Sequence, residues 1–277
     1  MIVNFTLKSP ISHGAFGDEN LGNYSAFRRL PIIADGEVKN IPVLSGNSIR
    51  GTMRRVIMRE LYDTSGFRFD DRLTAEFGMT KSKRAWDRLY ATLFGGGTID
   101  NVEVNINAGE LRELRAALPP LSLFGSALYS TLLAGMMNIG FAFPLCAETI
   151  SAGLWRGADD SLRNSAELLT DIGLTRHIDR ENADPEETGV KPMPYQVEAL
   201  IPGTKMQAEI TFAPMATDIE RHCAAHAIKL IRTLGGKASV GFGEISIDGF
   251  AEPDDLYVEW LKDSHYEQLI GLAKQVI

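Results

Sequence analysis

Three short stretches of this 277-residue chain carry residue types and spacings suited to chemistry. The first is Ile41–Arg59, reading IPVLSGNSIRGTMRRVIMR. Ser45-Gly46-Asn47-Ser48 leads into apolar positions Ile49, Met53, Val56, Ile57 and Leu61. Their spacing of i, i+4, i+7, i+8, i+12 is one helical stripe. Arg50, Arg54 and Arg55 fall off it, toward solvent. Ser45, Asn47 or Ser48 caps the first turn. Such a start offers free backbone N–H groups and the positive end of the helix dipole. Gly46 and Gly51 keep Cβ atoms away from anything that docks. Together these features suit a phosphate group, although an ordinary amphipathic helix with a solvated basic face carries the same pattern more often.

The second stretch, Gly235–Gly243 (GGKASVGFG), is glycine-dense between a predicted helix and a predicted strand. It lacks the GxxxxGK[ST] spacing of a P-loop, and it follows a helix, which excludes a Rossmann fingerprint. Its glycines allow close backbone approach, with Lys237 beside them for phosphate. A helix cap followed by a bulged strand reads equally well. The third is His13, in a loop after the first strand with Tyr24 nearby. A metal-independent ribonuclease needs a general base and acid in such a place; a loop histidine without a role is the commoner case. His222 and His226, four apart with Cys223 between, have a spacing that zinc uses. The string HCAAH lacks the Glu of HExxH and no second ligand pair accompanies it, so no metal is expected. No GxSxG, nucleophile–base pair or close carboxylate pair stands out.

Composition bounds the function classes. The chain is 44% hydrophobic and 23% charged, as in ordinary globular proteins. Two cysteines, Cys146 and Cys223, cannot form a disulfide framework and point to a reducing compartment. With no signal-peptide pattern at the start, a cytoplasmic protein is expected. The run Leu121–Cys146 is broken by glycines, Asn138 and Pro144 and does not read as a membrane span. The formal net charge of −8 argues against a broadly basic surface. The distribution is uneven, however. Between Ser45 and Arg88 ten Lys or Arg face six acids, whereas from Ala251 onward six acids face two lysines. A local basic face on an acidic body fits one strand guided along a groove.

The elements that must hold these residues follow from periodicity. Ile2–Lys8 alternates as a half-buried strand, and Ala26–Ile33 is a second, with Asp35-Gly36 as a hairpin turn. The basic helix runs to about Tyr62. Short helices are expected at Asp70–Phe77, Ser82–Phe94 and Gly109–Leu118, the last ended by Pro119-Pro120, with Gly95-Gly96-Gly97 a flexible break and Val102–Ile106 a strand. Leu121–Leu128 reads as a tight turn and Gly135–Leu145 as a buried strand. Cys146–Ala199 is the least regular part. Tyr195–Leu200 and Lys205–Phe212 are strands, Thr217–Leu234 a helix ended by Gly235-Gly236, Val240–Ile247 a last strand and Leu256–Val276 an acidic helix. Without its insertions the order is βαβ–βαβ, the ferredoxin-like arrangement, from which fold alone does not give function.

Five segments in order carry a family resemblance. VLSGNSIRGTMRR resembles the PGSSLRGxLR motif of the CRISPR-associated RAMP superfamily, in its backbone-subunit branch. Leu121–Ala127 (LSLFGSA) resembles that branch's LFGSA turn, and His177-Ile178-Asp179-Arg180 its IDR element. Ala199–Lys205 resembles the turn before the next strand, and Gly235–Gly243 the C-terminal glycine-rich loop. The wording SGNSIRGTMRR is most similar to the type IV version.

The resemblance implies an α+β fold, a modified ferredoxin-like (RRM-like) palm with a helical fingers insertion and an extended thumb. The whole chain, 1–277, is then one hand-shaped domain: palm 1–63, 119–147 and 198–250, fingers 64–118, thumb 148–197, C-terminal helix 256–276. It implies a non-catalytic subunit that binds CRISPR guide RNA, polymerises with copies of itself and presents the guide to target nucleic acid, DNA in preference to RNA. Other CRISPR effector subunits are expected partners; cofactors, metals and membranes are not. Ser45, Asn47, Ser48 and Arg50 match the motif and are expected on phosphates, with Arg54 and Arg55 extending the track. Arg28 and Arg29 match a basic strand that precedes it. Gly235, Gly236 and Lys237 would admit the RNA backbone, while Ile178, Arg180 and Met193 belong to the thumb, Ile178 and Met193 as wedges between bases. Type III relatives cut RNA with an aspartate shortly before the basic strand. Here Gly22–Ala26 holds no carboxylate, and the nearest are Asp18 and Glu19, so no target cleavage is expected. Competing readings are a RAMP endoribonuclease using His13 with Tyr24 or Lys237, and a metabolic enzyme sharing the sheet topology.

Overall fold

The computed structural model describes residues 1–15, 22–66, 71–98, 106–128, 131–157, 163–176, 193–249, 256–263 and 265–275. In chain order its strands are β1 (Ile2–Leu7), β2 (Tyr24–Ser25), β3 (Arg29–Ala34), β4 (Glu37–Pro42), β5 (Gly97–Thr98), β6 (Ser126–Leu128), β7 (Thr131–Leu133), β8 (Met137–Ile139), β9 (Phe143–Pro144), β10 (Leu169–Arg176), β11 (Met193–Leu200), β12 (Lys205–Phe212) and β13 (Ile245–Asp248). Its helices are α1 (Gly46–Ser65), α2 (Asp71–Phe77), α3 (Met79–Tyr90), α4 (Ala108–Ala117), α5 (Pro119–Phe124), α6 (Ala147–Ser151), α7 (Asp218–Leu230), α8 (Leu256–Lys262) and α9 (Tyr266–Gln275).

Alternation in β1 sets the central layer. Val3, Phe5 and Leu7 are buried, and their cross-strand partners Ala208 and Met206 on β12 are buried with them. The antiparallel order is β13-β1-β12-β8, with β9 also on β12. Because α1 precedes β8 and α7 lies between β12 and β13, this mixed α+β arrangement is compatible with the ferredoxin-like order. Ile49, Met53, Ile57, Met58 and Leu61 of α1 join the same core as Ala224, Ala227 and Ile228 of α7. Each such Ile, Leu or Met side chain contributes about 1.5–3 kcal/mol by leaving water. Among the described residues no helix is long and apolar enough to cross a membrane.

Several boundaries depart from the sequence reading, each for a local reason. Pro119 and Pro120 begin α5 instead of merely ending α4, since the first turn of a helix needs no N–H donors. The expected LFGSA turn is therefore helical up to Phe124, and Gly125 (φ +66°) makes the break. The expected strand Gly135–Leu145 is split into β8 and β9, because Ala142 turns aside to bridge Leu44. Helix α7 stops at Leu230, ahead of Gly235; Thr233 bridges Glu244 while Ile231 and Leu234 stay in the core. Ala238–Val240 is a 3-10 turn, leaving only Ile245–Asp248 as strand. The acidic C-terminal helix is two helices, broken where His265 stacks on Trp260 (3.7 Å) and its Nε2 lies 2.7 Å from the Trp260 carbonyl.

Other readings hold. Asp35 (φ +52°) and Gly36 (φ +78°) turn the β3–β4 hairpin, and both cysteines are buried and free. The stretch Cys146–Ala199, by contrast, is more regular than expected: β10 has no counterpart in the sequence reading, β11 begins at Met193 ahead of the expected Tyr195, and the two form an antiparallel ribbon from Leu169↔Leu200 to Arg176↔Met193. The expected strand at Val102–Ile106 lies outside the described residues except for Ile106.

Candidate functional site

At the start of α1, Ser45 is the N-cap: its backbone is extended and its Oγ accepts from the Ser48 amide at 3.3 Å. Its own amide donates to Nε2 of His13 at 3.2 Å. Gly46 serves the fold here. A Cβ on it would stand 2.0 Å from the Ile139 carbonyl oxygen, so the glycine lets the helix start lie on β8 and is not a gap left for a ligand. Asn47 is exposed and Ser48 half-buried.

One turn on, the arginines divide. Arg54 is not on the solvent side, as its place off the stripe suggested: it is 8% exposed. Its Nη2 donates to the Phe124 carbonyl (2.8 Å) and the Gly125 carbonyl, and its guanidinium lies 5.7 Å from the Phe124 ring centroid. Arg50, half-buried, also donates to the Phe124 carbonyl. The chain between Phe124 and Ala127 turns away from helical geometry at Gly125, leaving carbonyls without intrahelical donors, and these arginines supply them. Burial, together with the Arg50 charge, pulls the Arg54 pKa down to about 10, and burial also lowers that of Arg50. Arg55 is exposed and donates to Thr52 Oγ1 at 3.0 Å.

These side chains line a cleft of about 530 Å³ between α1, the Phe94–Gly96 bend and the Phe124–Ala127 turn, closed on the far side by Leu132–Gly135. The sequence reading named Asn47, Arg50, Arg54 and Arg55 but missed Phe94, Phe124, Leu132 and the glycines opposite. Gly95-Gly96-Gly97, read as a flexible break, is a conformational requirement: Gly96 and Gly97 have φ of +88° and +78°, and a Cβ on Gly97 would meet the Ala127 carbonyl oxygen at 1.9 Å.

A second group gathers around Ile11–His13. Ile11 pairs with Leu200, Ser12 with Gly236, and the His13 carbonyl accepts the Arg28 amide (2.7 Å). Gly235 and Gly236 thus pack against the chain itself; a Cβ on Gly235 would stand 2.6 Å from the Ser12 carbonyl oxygen. Lys237, in left-handed conformation, holds its Nζ 4.6 Å from the Tyr195 ring centroid. Arg29 is not an open phosphate contact either: it pairs with Glu198, whose other oxygen accepts the Phe27 amide at 2.8 Å.

The residues considered for catalysis are engaged separately. Burial and the Arg28 charge lower the His13 pKa to about 4, and its Nε2 is taken by the Ser45 amide. The Tyr24 hydroxyl donates to Asp171 (3.1 Å). His226 Nε2 lies 2.9 Å from a Glu60 carboxylate oxygen, and among the described residues no three potential ligands gather for a metal ion. Met193 opens β11 opposite Arg176. Ile178, Arg180, Asp18 and Glu19 lie outside the described residues.

No protein-family model matches the chain, and no curated protein matches it. Among solved structures, a chain of a Type IV-B CRISPR complex aligns with a TM-score of 0.61 at 19% identity, covering 95% of this chain and 98% of that one. A chain of the Type III-B Cmr-beta complex bound to cognate target RNA aligns at 0.42 and 16% identity over 89% of this chain and 57% of that one. Csc2 from Thermofilum pendens aligns at 0.43 and 14% identity over 99% and 78%. This chain has, from end to end, the fold of a chain found in a Type IV-B CRISPR complex.

Proposed function

We propose that the chain is a RAMP-type backbone subunit of a CRISPR effector complex, one that polymerises along guide RNA and presents it to target nucleic acid without cutting. The observation that carries this reading is the end-to-end fold likeness to a chain of a Type IV-B CRISPR complex. In this reading 1–63, 119–147 and 198–250 form the palm, 64–118 the fingers and 148–197 the thumb, with the β10–β11 ribbon as its stem. The target is DNA in preference to RNA, and other effector subunits complete the assembly.

The charge layout supports one path for the guide. The outer face of the central sheet bears Asn4, Thr6, Gln207 and the carboxylates Glu209 and Asp248, with Thr6 bonded to Asp248; of the cations on it, Arg156 is already paired with Glu209 and Lys205 stands opposite Thr6. The exposed groups at the start of α1 are better suited: Asn47 and Arg55 contact phosphates, Arg50 at the cleft wall joins them, and Arg28 and Lys237 extend the track past Ser45. Arg54 and Arg29 hold the frame. The endoribonuclease alternative is less well supported, because its base His13 is occupied by the Ser45 amide.

Binding of a guide-length RNA to the purified protein, measured across salt concentrations and imaged by electron microscopy, tests this. RNA-dependent filaments are expected. The Asn47→Ala, Arg55→Ala double variant should bind more weakly, with a log K against log salt slope shallower by about 0.7 for the one phosphate that Arg55 neutralises; the neutral Asn47 contact adds affinity but no salt dependence. Protein that stays monomeric with RNA, or binds with no salt dependence, refutes the reading.

A further inference from the structure

The cleft between α1 and the Phe124–Ala127 turn has features that gripping a backbone from outside does not require. Three arginines, Arg50, Arg54 and Arg55, line it, and among the described residues no Asp or Glu does. Buried arginines are ordinarily matched by a carboxylate. Among the described residues Arg50 and Arg54 meet the carbonyl dipoles of Phe124 and Gly125, and Arg54 the Phe124 ring, none of which cancels net charge. Two like charges held together in a partly dehydrated wall are relieved by an anion.

The rest of the cleft fixes what kind of anion. Its volume of about 530 Å³ lies within the ~300–1,000 Å³ of clefts that enclose small organic ligands, far more than a lone phosphate fills. One wall holds Phe94, stacked on Tyr90 with centroids 4.6 Å apart, and Leu132, 71% exposed at the mouth. Phe124 lines it too, beneath the Arg54 guanidinium. Glycines lie directly against the guanidiniums. A Cβ on Gly96 would come within 2.6 Å of Arg54 Nη1, and one on Gly135 within 2.8 Å of Arg50 Nη2. A side chain at either position would press on a guanidinium and fill the space beside it.

We propose that this cleft binds a single nucleotide unit, its phosphate held by Arg50 and Arg55 and its base laid against Phe94 and Leu132. Cation, apolar ring and bare backbone meet the three parts of a nucleotide: the phosphate oxygens, the π-face and the base edge. The nucleotide has two possible sources, a free mononucleotide or one nucleotide of a bound strand. Only the second rests on the function proposed above.

The test titrates the full-length, RNA-free protein with adenosine and uridine 5′-monophosphates, the matching nucleosides and inorganic phosphate. A parallel arm follows a single-stranded RNA carrying one 2-aminopurine by its fluorescence. Leu132→Trp blocks the mouth from an exposed position, and Arg55→Ala removes an exposed cation; matching circular dichroism melts establish that both variants fold. A monophosphate binding at least tenfold tighter than its nucleoside or phosphate, and weakened at least tenfold by each variant, supports a free nucleotide. A 2-aminopurine signal lost in Leu132→Trp, without mononucleotide binding, supports a nucleotide within a strand. Phosphate bound as tightly as the monophosphate, or binding indifferent to Leu132→Trp in both arms, overturns the proposal. RNA filaments with no such sensitivity would overturn this inference alone. Mononucleotide binding by a protein that forms no RNA assembly would overturn the proposed function alone.

Discussion

Replacing Arg54 by Met separates the frame of the cleft from its surface. Met keeps the apolar stem and removes the guanidinium. The Phe124 carbonyl retains a donor, because Arg50 also reaches it. The Gly125 carbonyl loses the Arg54 donor, and a buried acceptor left unpaired costs about 1–3 kcal/mol. Loss of the guanidinium over the Phe124 ring costs about 0.5–2 kcal/mol more. Removing a buried cation beside Arg50 returns part of its desolvation cost, so the net expectation is about 2–3 kcal/mol. In urea titrations this appears as a lower midpoint at unchanged slope. Arg55→Met, at an exposed site on the same helix, should change stability by less than about 0.5 kcal/mol. An Arg54→Met protein within about 0.5 kcal/mol of the parent, or one matched by Arg55→Met, refutes the view that Arg54 ties α1 to the turn.

Two further outcomes follow from the same contacts. Gly46→Ala places a Cβ 2.0 Å from the Ile139 carbonyl oxygen and 2.8 Å from that of Gly140. Both neighbours are backbone, so the loss should reach about 3 kcal/mol or more in thermal or urea melts despite the better helix propensity of alanine; a neutral variant would show that α1 does not rest on β8. His13 is held neutral in the fold, with its pKa lowered from 6.5 to about 4. Its contribution is therefore complete above pH 6.5 and is lost as pH falls toward 4. His13→Gln should flatten stability against pH across that window, and an unchanged profile would place the titrating group elsewhere.

Much of this protein was legible from residue order. The 3.6-residue stripe of α1, a cap within Ser45–Ser48 (Ser45 in the structure), the period-2 alternation of β1 and β12 and the Asp35-Gly36 turn are local, and backbone geometry acts on them within a few residues. The motif resemblance also placed SGNSIRG and LFGSA in one fold type. Helix ends were less legible where long-range pairing overrode local signals. Gly235-Gly236 looks like a helix stop, yet α7 ends earlier because Thr233 pairs with Glu244, and those glycines answer to the Ser12 carbonyl.

The cleft belongs to tertiary structure alone. Residue order puts three arginines of α1 outside its apolar stripe and two glycine-rich bends in the chain, but it does not decide which charges remain open. That depends on carbonyls seventy residues away: Phe124 and Gly125 draw in Arg54 and part of Arg50, while Arg55 stays exposed. Likewise Glu198 on β11 neutralises Arg29, and the Ser45 amide occupies the one histidine placed like a base. Periodicity can say that a side chain leaves the helix's own core; only the packing of distant segments decides whether it then meets water, a carboxylate or a carbonyl.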